Sequence, residues 1–307
     1  MTNVAALDCG SNSTRLLVAN AAGIHFVREM RITRLSQGVD ANGALTDEAI
    51  ERTLEVLRHY RSIMDRYDVD KGLLVATSAV RDASNGGNFL TAAAAITGVE
   101  ARCLTGNEEA TFTYRGATAT LAPSEHPTLV VDIGGGSTEM AVMVEGALVS
   151  HSMQLGCVRV TERALGAEVV TPPRAAAAQE LIQRELERAW REQPTFDAVR
   201  GDLRLVGVAG TVATLAQLVA GDDEYERDRV HHQSLRRSDV QYWITTLGAL
   251  TPSERLALPG MVAGREDVLV SGLMILDAVM ERFAVTSLMT SEDDILDGVA
   301  AWCATAQ

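Results

Sequence analysis

The sequence predicts an α/β protein made of two similar halves that face each other across a cleft. A strand ending in aspartate, a small-residue turn and two further strands form a unit that begins at Asp8 and recurs at Asp132. Helices and strands alternate after the unit in both places. The length of 307 residues also suits two domains of ordinary size. Because an internal repeat decides the architecture of a chain, the repeat is the primary signal.

The first half alternates between the two kinds of element. Short or alternating apolar runs predict strands at 4–8, 15–20, 24–32, 72–77 and 99–104. Apolar residues at helical spacing predict helices at 49–67, 84–96 and 107–121. Ala22-Gly23 is a hairpin signal, and Thr46 followed by two acidic residues marks a helix start.

A polar, proline-flanked segment at 122–127 is the best boundary, so we predict a first domain at 1–124 and a second at 125–307. The last helix, at about 291–305, is a candidate to pack back on the first domain. The second half predicts strands at 128–132, 139–144, 147–154, 203–208 and 285–289. Its predicted helices lie at 158–165, 173–190, 209–219, 238–247, 265–282 and 291–303, and the charged run 222–229 is interpreted as a solvated loop.

The composition excludes several classes of protein. Acidic residues outnumber basic ones by 41 to 27, which argues against nucleic-acid binding and against a membrane-surface anchor. Neither a secretory signal nor a membrane-spanning apolar run is present, so we expect a cytoplasmic protein. Four widely spaced cysteines argue against a disulfide scaffold. The pair His231-His232 is interpreted as solvated rather than metal-binding.

Each aspartate-and-glycine turn is a candidate phosphate site. Gly10 and the run Gly134-Gly135-Gly136 lack the Cβ atoms that would keep a ligand away from backbone N–H groups. Side-chain donors are added by Ser11, Asn12, Ser13, Ser137 and Thr138. A carboxylate beside a phosphate repels it unless a cation lies between them, so Asp8 and Asp132 imply Mg²⁺ or a similar hard ion. A purely structural use of either turn stays open.

Three further features are less specific. The turn at Ala209-Gly210-Thr211 lies at a helix N-terminus, where free N–H groups favour an anion. Glu108 and Glu109 begin a helix, so they either complement its dipole or supply a base for water. Arg81 follows a strand and is either a phosphate ligand or a solvated side chain. No P-loop, HExxH or nucleophile–histidine pattern offers another route.

Three motifs together resemble the exopolyphosphatase/guanosine pentaphosphate phosphohydrolase (Ppx/GppA) family. They are 6–13 (ALDCGSNS) with Arg15, 105–110 (TGNEEA) and 131–139 (VDIGGGSTE), supported by 156–159, 209–211 and 259–267. Members of this family have duplicated ribonuclease-H-like domains, the fold of actin, sugar kinases and Hsp70 ATPases. The resemblance therefore implies that fold for nearly the whole chain.

The resemblance also implies an activity and a site. It implies hydrolysis of the terminal phosphate of polyphosphate, or of the γ-phosphate of guanosine pentaphosphate, with Mg²⁺ or Mn²⁺. Glu109 is the implied catalytic base, and Asp132 and Glu139 are catalytic carboxylates that, with Asp8, form the expected metal site. The expected phosphate-binding residues are Gly10, Ser11, Asn12, Ser13, Arg15, Arg81, Gly134, Gly135, Gly136, Ser137, Thr138, Gly210 and Thr211.

The sequence departs from the family pattern in three places. Ala209 stands where a serine is usual, and 293–298 (DDILDG) replaces a Gly-Leu-Arg-Glu-Gly run. The helical C-terminal domains of longer members have no counterpart, which, with the net charge of −14, predicts short polyphosphates or a small nucleotide as substrate. We expect an exopolyphosphatase. A guanosine pentaphosphate phosphohydrolase, a non-catalytic sensor of guanosine tetra- or pentaphosphate, an ATP-using kinase and a homodimer stay open.

Overall fold

In a computed structural model that describes residues 2–221 and 225–305, the chain divides into two compact units. The first unit comprises Met1–Ala119 with Asp294–Gln307, and the second comprises Thr120–Asp293. The chain thus passes between the units after Ala119 and again after Asp293. The sequence predicted limits of 1–124 and 125–307 and left open the side on which the last helix packs.

The first unit is built on a mixed sheet in the order β3-β2-β1-β4-β5. Its strands are β1 (Asn3–Cys9), β2 (Ser13–Asn20), β3 (His25–Ile32), β4 (Val69–Ala76) and β5 (Glu100–Cys103). Strands β1 to β3 form an antiparallel meander, whereas β1, β4 and β5 are parallel. Its helices are α1 (Val39–Asn42), α2 (Asp47–Arg66), α3 (Ser78–Asp82), α4 (Gly86–Thr97), α5 (Gly106–Thr118) and the C-terminal helix (Ile295–Thr305).

Both faces of this sheet are buried, because β1 alternates between two cores. Leu7 belongs to a core with Tyr60 of α2, and Ala6 belongs to a second core with Phe112 of α5 and the C-terminal helix. Helix α5 and the C-terminal helix approach closely at Gly298, where a Cβ would lie 2.1 Å from the carbonyl oxygen of Phe112. Asp8 shares the face of Ala6, so its carboxylate lies on the side of these two helices.

The second unit contains a mixed sheet in the order β10-β11-β9-β6-β7-β8. Its strands are β6 (Thr128–Ile133), β7 (Thr138–Val144), β8 (Ala147–Met153), β9 (Arg204–Val208), β10 (Ser234–Arg236) and β11 (Ser287–Thr290). Its helices are α6 (Cys157–Val160), which continues as a π-turn (Thr161–Leu165), α7 (Pro172–Glu192), a 3₁₀ turn (Pro194–Val199), α8 (Ala209–Ala220), α9 (Arg227–Val230), α10 (Arg237–Gly248), α11 (Pro252–Leu256) and α12 (Leu269–Arg282).

The two sheets repeat one plan. The order β8-β7-β6-β9-β11 corresponds to β3-β2-β1-β4-β5, with the same antiparallel meander followed by parallel strands, and β10 is added at one edge. This repetition confirms the predicted duplicated ribonuclease-H-like α/β fold. The predicted cleft between the halves stays a prediction.

Several local predictions were wrong. Helix α12 begins at Leu269 rather than at residue 265, because Arg265 donates its N–H in a turn to the carbonyl of Val262. In the predicted loop at 222–229, residues 222–224 lie outside the described residues, and α9 begins at Arg227. Short elements such as α1, α3, α11 and β10 carried no periodic signal, because each is shorter than the pattern that identifies it.

The histidine pair is not solvated as predicted. The His231 side chain is only 15% exposed, and its Nδ1 accepts a 3.0 Å hydrogen bond from the N–H of Glu292. The rings of His231 and His232 stack with centroids 3.7 Å apart. Among the described residues, no group of three or more His, Cys, Asp or Glu side chains is arranged to hold a metal ion, and no helix is both long and apolar enough to cross a membrane.

Candidate active site

The carboxyl ends of the parallel strands gather the candidate residues of the first unit. The strands β1, β4 and β5 run in the same direction, so their ends share one edge of the sheet. Gly10 follows β1, Ser78 and Arg81 follow β4 on α3, and Glu109 follows β5 on α5. Such an edge is where ligands bind in open α/β sheets. The topology alone therefore brings these residues to one place.

The first turn, residues 10–13, is closed by a 3.0 Å hydrogen bond from the N–H of Gly10 to the carbonyl of Ser13. The carbonyl of Asn12 accepts from the N–H groups of Thr33 and Arg34, at 3.0 and 2.9 Å. The Ser11 hydroxyl lies 2.9 Å from the Ser78 hydroxyl. The segment after β3 thus holds the turn through its carbonyls, and Ser78 holds it through a side chain. Sequence reasoning missed Ser78, although its place directly after a parallel strand was a usable signal.

Asp8 and Arg15 are directly opposite each other on β1 and β2. Both Nε and Nη2 of Arg15 donate to the same oxygen of Asp8, Oδ2, at 3.0 and 2.7 Å. The other oxygen, Oδ1, is buried and has no hydrogen-bond partner. Burial raises the pKa of Asp8 above its ordinary value, and Arg15 opposes that rise. Arg15, expected to bind phosphate, is therefore also the counter-ion of the first-turn aspartate.

The second turn, residues 134–137, repeats the backbone design of the first. The N–H of Gly134 donates to the carbonyl of Ser137 at 3.0 Å. The carbonyl of Gly135 accepts from the N–H of Val158 at 2.9 Å, at the start of α6. A Cβ on Gly156 would lie 2.3 Å from the carbonyl carbon of Gly135, so only glycine permits this contact. As in the first turn, the segment after the third strand of the meander binds the turn's carbonyls.

The carboxylates of the second turn form a like-charged pair. Asp132 and Glu139 are directly opposite each other on β6 and β7, and both are buried. The hydroxyl of Ser152, on β8, donates to Glu139 Oε1 at 2.6 Å. Two buried carboxyl groups thus lie on one face of the second sheet, beside the second turn.

The two acidic residues at the start of α5, Glu108 and Glu109, have different surroundings. Glu108 completes a capping box with Thr105, and the hydrogen bond from the Thr105 N–H holds the pKa of Glu108 below its ordinary value. Glu109 points inward, is 7% exposed, and lies 3.2 Å from Arg81 Nη1. Arg81 Nη1 also donates to the carbonyl of Leu104 at 2.8 Å. The two glutamates therefore differ in place: Glu108 caps the helix, and Glu109 faces inward beside Arg81.

The third turn, residues 209–211, is the first turn of α8, which begins directly after β9. Ala209 has a φ of +68°, a left-handed conformation that costs free energy for a residue with a side chain. A Cβ on Gly210 would lie 1.8 Å from the guanidinium carbon of Arg265, so that arginine packs against the turn. The resemblance covered Arg265 without giving it a role, and no local pattern marks its approach to Gly210.

Some predicted side-chain donors are directed into the fold. Thr138 donates its hydroxyl to the carbonyl of Leu155 at 2.5 Å, and Thr211 donates to the carbonyl of Ile133 at 3.3 Å. Within the first unit the structure brings together Asp8, Gly10, Ser11, Asn12, Ser13, Arg15, Arg81 and Glu109. Within the second it brings together Asp132, Gly134, Gly135, Gly136, Ser137, Thr138, Glu139, Gly210 and Thr211.

Each unit carries carboxylate oxygens, the type of ligand that a hard cation prefers. In the first unit, Asp8 offers a buried oxygen without a hydrogen-bond partner. In the second unit, Asp132 and Glu139 are opposite each other on β6 and β7. Mg²⁺ prefers oxygen ligands and is usually held by one or two carboxylates, water and substrate phosphates rather than by a complete protein cage. The absence of a three-ligand group among the described residues is compatible with this mode of binding.

The fold and the glycine-rich turns define a class of protein: one with the duplicated domains of the actin-like ATPase superfamily. A family model, described as the Ppx/GppA phosphatase family, matches residues 17–301. The chain belongs to the Ppx/GppA phosphatase family. This membership confirms both the resemblance and the predicted enzyme class, a phosphoric anhydride hydrolase.

Individual relatives cover the whole fold. Exopolyphosphatase 2 of Mycobacterium tuberculosis is 38% identical, over 98% of each chain. The crystal structure of an exopolyphosphatase-like protein is 31% identical with a TM-score of 0.91, covering 98% of this chain and 97% of that one. The Ppx/GppA family member of Aquifex aeolicus is 27% identical with a TM-score of 0.80, again covering 98% and 97%.

Proposed function

We propose that this protein is an Mg²⁺-dependent exopolyphosphatase, which transfers the terminal phosphoryl group of a short polyphosphate to water. The proposal is supported by family membership and by the likeness to the mycobacterial protein named exopolyphosphatase 2. The observation that carries it is Glu109, a buried carboxylate next to Arg81 at the edge of the sheet where the first turn lies.

Glu109 orients a water molecule and accepts its proton as the water attacks the terminal phosphorus. The bond from that phosphorus to the bridging oxygen breaks, so phosphate forms and the shortened polyphosphate leaves with the bridging oxygen. A general base must lie within hydrogen-bonding reach of the proton it removes, and it contributes about 10²- to 10⁴-fold to the rate. Arg81 keeps the carboxylate in place through the 3.2 Å contact, and its charge faces the oxygens of the phosphoryl group. Phosphoryl transfer depends mainly on positioning and on neutralising charge, and these are the contributions of the two side chains.

Each of the turns binds phosphate mainly through backbone N–H groups. Turns of this kind attract anions because several N–H dipoles converge on one point. The carbonyls of the first and second turns already accept bonds from neighbouring segments, which keeps both turns rigid. A rigid donor set needs no reorganisation when charge develops in the reaction.

In the second unit Asp132 and Glu139, and in the first unit Asp8, are the residues proposed to contact Mg²⁺. When bound, the ion supplies positive charge against the phosphate oxygens. Without positive charge, these carboxylates would repel a polyanionic substrate, so the proposal requires a divalent cation. The net charge of −14 supports short substrates, because each additional phosphate adds repulsion from the protein surface. A cytoplasmic location and a homodimer stay predictions from the sequence.

The test is phosphate release from triphosphate, from long-chain polyphosphate and from guanosine pentaphosphate, each with Mg²⁺ and with a chelator. We expect release from triphosphate to be fastest and to depend on Mg²⁺. Preference for guanosine pentaphosphate would favour the phosphohydrolase, and tight binding of that nucleotide without release would favour the sensor. Activity that survives chelation would contradict the Mg²⁺ requirement.

A further inference from the structure

Asp294 contacts the counter-ion of the first-turn aspartate from a distant part of the chain. Arg15 Nη1 donates to Asp294 Oδ2, while Nε and Nη2 of Arg15 donate to Asp8 Oδ2. The guanidinium is thus shared between two carboxylates, which lie on β1 and just before the C-terminal helix. The proposed chemistry gives Asp294 no role. The residue is nevertheless only 5% exposed, and both of its carboxylate oxygens have hydrogen-bond partners.

The geometry of the Asp8–Arg15 pair is unusual. An arginine beside a carboxylate commonly forms two parallel bonds, one to each oxygen. Here both donors use Oδ2, and Oδ1 is buried with no hydrogen-bond partner. A buried carboxylate oxygen without a partner is costly, so some constraint must keep Arg15 from turning toward Oδ1. The bond from Nη1 to Asp294 is such a constraint.

Asp294 is itself held rigidly. Its Oδ1 accepts from the N–H of Leu296 at 2.9 Å, which caps the C-terminal helix, and forms an ion pair with Arg28 Nη2 at 3.0 Å. Its Oδ2 is directed to Arg15. Because one oxygen is fixed by the helix cap and by Arg28, the other is fixed in direction. Asp294 can therefore hold the guanidinium of Arg15 in one orientation.

We propose that Asp294 is a positioning residue that keeps Asp8 Oδ1 open for a divalent cation by holding Arg15 on Oδ2. Without Asp294, Arg15 turns to bind both oxygens of Asp8, and the cation loses a ligand. Partners that orient a metal ligand affect metal affinity about 10- to 100-fold. This inference rests on the proposed metal-assisted function, because it assigns Asp8 to the cation.

The test measures direct binding of Mn²⁺ to the full-length protein in the absence of substrate. Binding is monitored by the decrease of the EPR signal of the free ion. Asp294→Asn is the informative variant: the amide oxygen can keep the helix cap and the Arg28 contact, and the amide nitrogen cannot accept from Arg15. We expect the Kd for Mn²⁺ to rise about tenfold. In phosphate release we expect a similar rise in the apparent Mg²⁺ constant, with kcat at saturating Mg²⁺ within about twofold of wild type.

Asp297→Asn is the matched control. It removes the same charge three residues away, from a carboxylate that contacts Arg28 and His25 and accepts from the N–H of Asp294, a bond that the Asn amide oxygen can keep. No contact between Asp297 and Arg15 is among those described. We expect its Kd for Mn²⁺ to stay within about twofold of wild type. Equal weakening in both variants would show a general effect of charge and would overturn the inference. So would an unchanged Kd in Asp294→Asn.

Asp294→Ser guards against misfolding, because serine also caps helices but is too short to reach Arg15. It should weaken Mn²⁺ binding as Asp294→Asn does, and normal affinity in a folded Asp294→Ser protein would overturn the inference. A wild-type protein that binds no Mn²⁺ would also overturn it. The proposed function is judged separately: wild-type protein that binds Mn²⁺ but releases no phosphate from any of the three substrates would refute the function.

Discussion

The first and second turns share a backbone design and differ in one side chain. Each closes with an N–H to carbonyl bond of 3.0 Å from glycine to serine, and each is held through its carbonyls by the segment that follows the meander. The residue opposite the aspartate is Arg15 in the first turn and Glu139 in the second. The two halves thus share the backbone of the turn and differ in the charge of the residue opposite the aspartate.

This difference gives the two halves different charges beside the turn. The first half pairs its aspartate with Arg15 and places Glu109 next to Arg81. The second half places two buried carboxyl groups opposite each other. Under the proposed function, the first half supplies the base and the second half supplies carboxylates to the cation.

The largest effect should come from removing the base of the first half. Glu109→Gln should lower kcat about 10²- to 10⁴-fold and leave KM nearly unchanged, because the amide keeps the shape but cannot accept a proton. Steady-state phosphate release measures both constants. Glu108→Gln, one residue earlier in the helix cap, is the control and should keep the wild-type kcat. If kcat falls equally in the two variants, the assignment of the helix cap to Glu108 and of the base to Glu109 is wrong.

The next effect should appear in the stability of the first turn. Arg15→Met should lower the free energy of unfolding by about 3 kcal/mol, because it leaves the buried Asp8 carboxylate without its counter-ion. Urea unfolding without metal measures this loss. The double variant Asp8→Asn with Arg15→Met should recover part of it, since no uncompensated charge remains. A double variant with the full additive loss would contradict the pairing.

A pH-dependent effect should come from Asp297, which contacts His25 and Arg28 on β3. Burial alone would raise the pKa of Asp297, but the hydrogen bond from His25 and the charge of Arg28 outweigh it and lower the pKa to about 2, from 3.8. A lowered pKa stabilises the fold above pH 3.8, and that contribution of about 2 kcal/mol is lost as the pH falls toward 2. Urea unfolding between pH 2 and 5 should show this slope in wild type and a flatter one in Asp297→Asn. If the free energy of unfolding has the same pH dependence in both proteins, the lowered pKa of Asp297 is contradicted.

The smallest effect should be a gain of stability in the second turn. Without metal, Glu139→Gln should raise the melting temperature by a few degrees, because it relieves the repulsion with Asp132. The same variant should bind Mg²⁺ at least about tenfold more weakly, so the rise of melting temperature on adding Mg²⁺ should shrink. Thermal unfolding with and without Mg²⁺ measures both. A variant that is less stable without metal would show that the pair is not strained.

Local pattern was enough for much of the fold and part of the site. The strand-aspartate-glycine unit repeats in the sequence, so both halves and both turns could be predicted before any contact was known. The capping box of α5 was also visible as Thr105 followed by Glu108. Periodicity could not predict short elements such as α3 and β10. It also could not predict the start of α12, which comes after a turn that ends at Arg265.

The sequence by itself determined the duplicated fold, the two turns and the residue types they carry, because each follows from spacing along a few neighbouring residues. Only the tertiary structure decided which of Glu108 and Glu109 faces inward, that Arg265 packs on Gly210, and that Asp294 meets Arg15 across 279 positions of the chain. The physical reason is that counter-ions and close packing depend on where the chain returns in space, and no spacing in the sequence records that return.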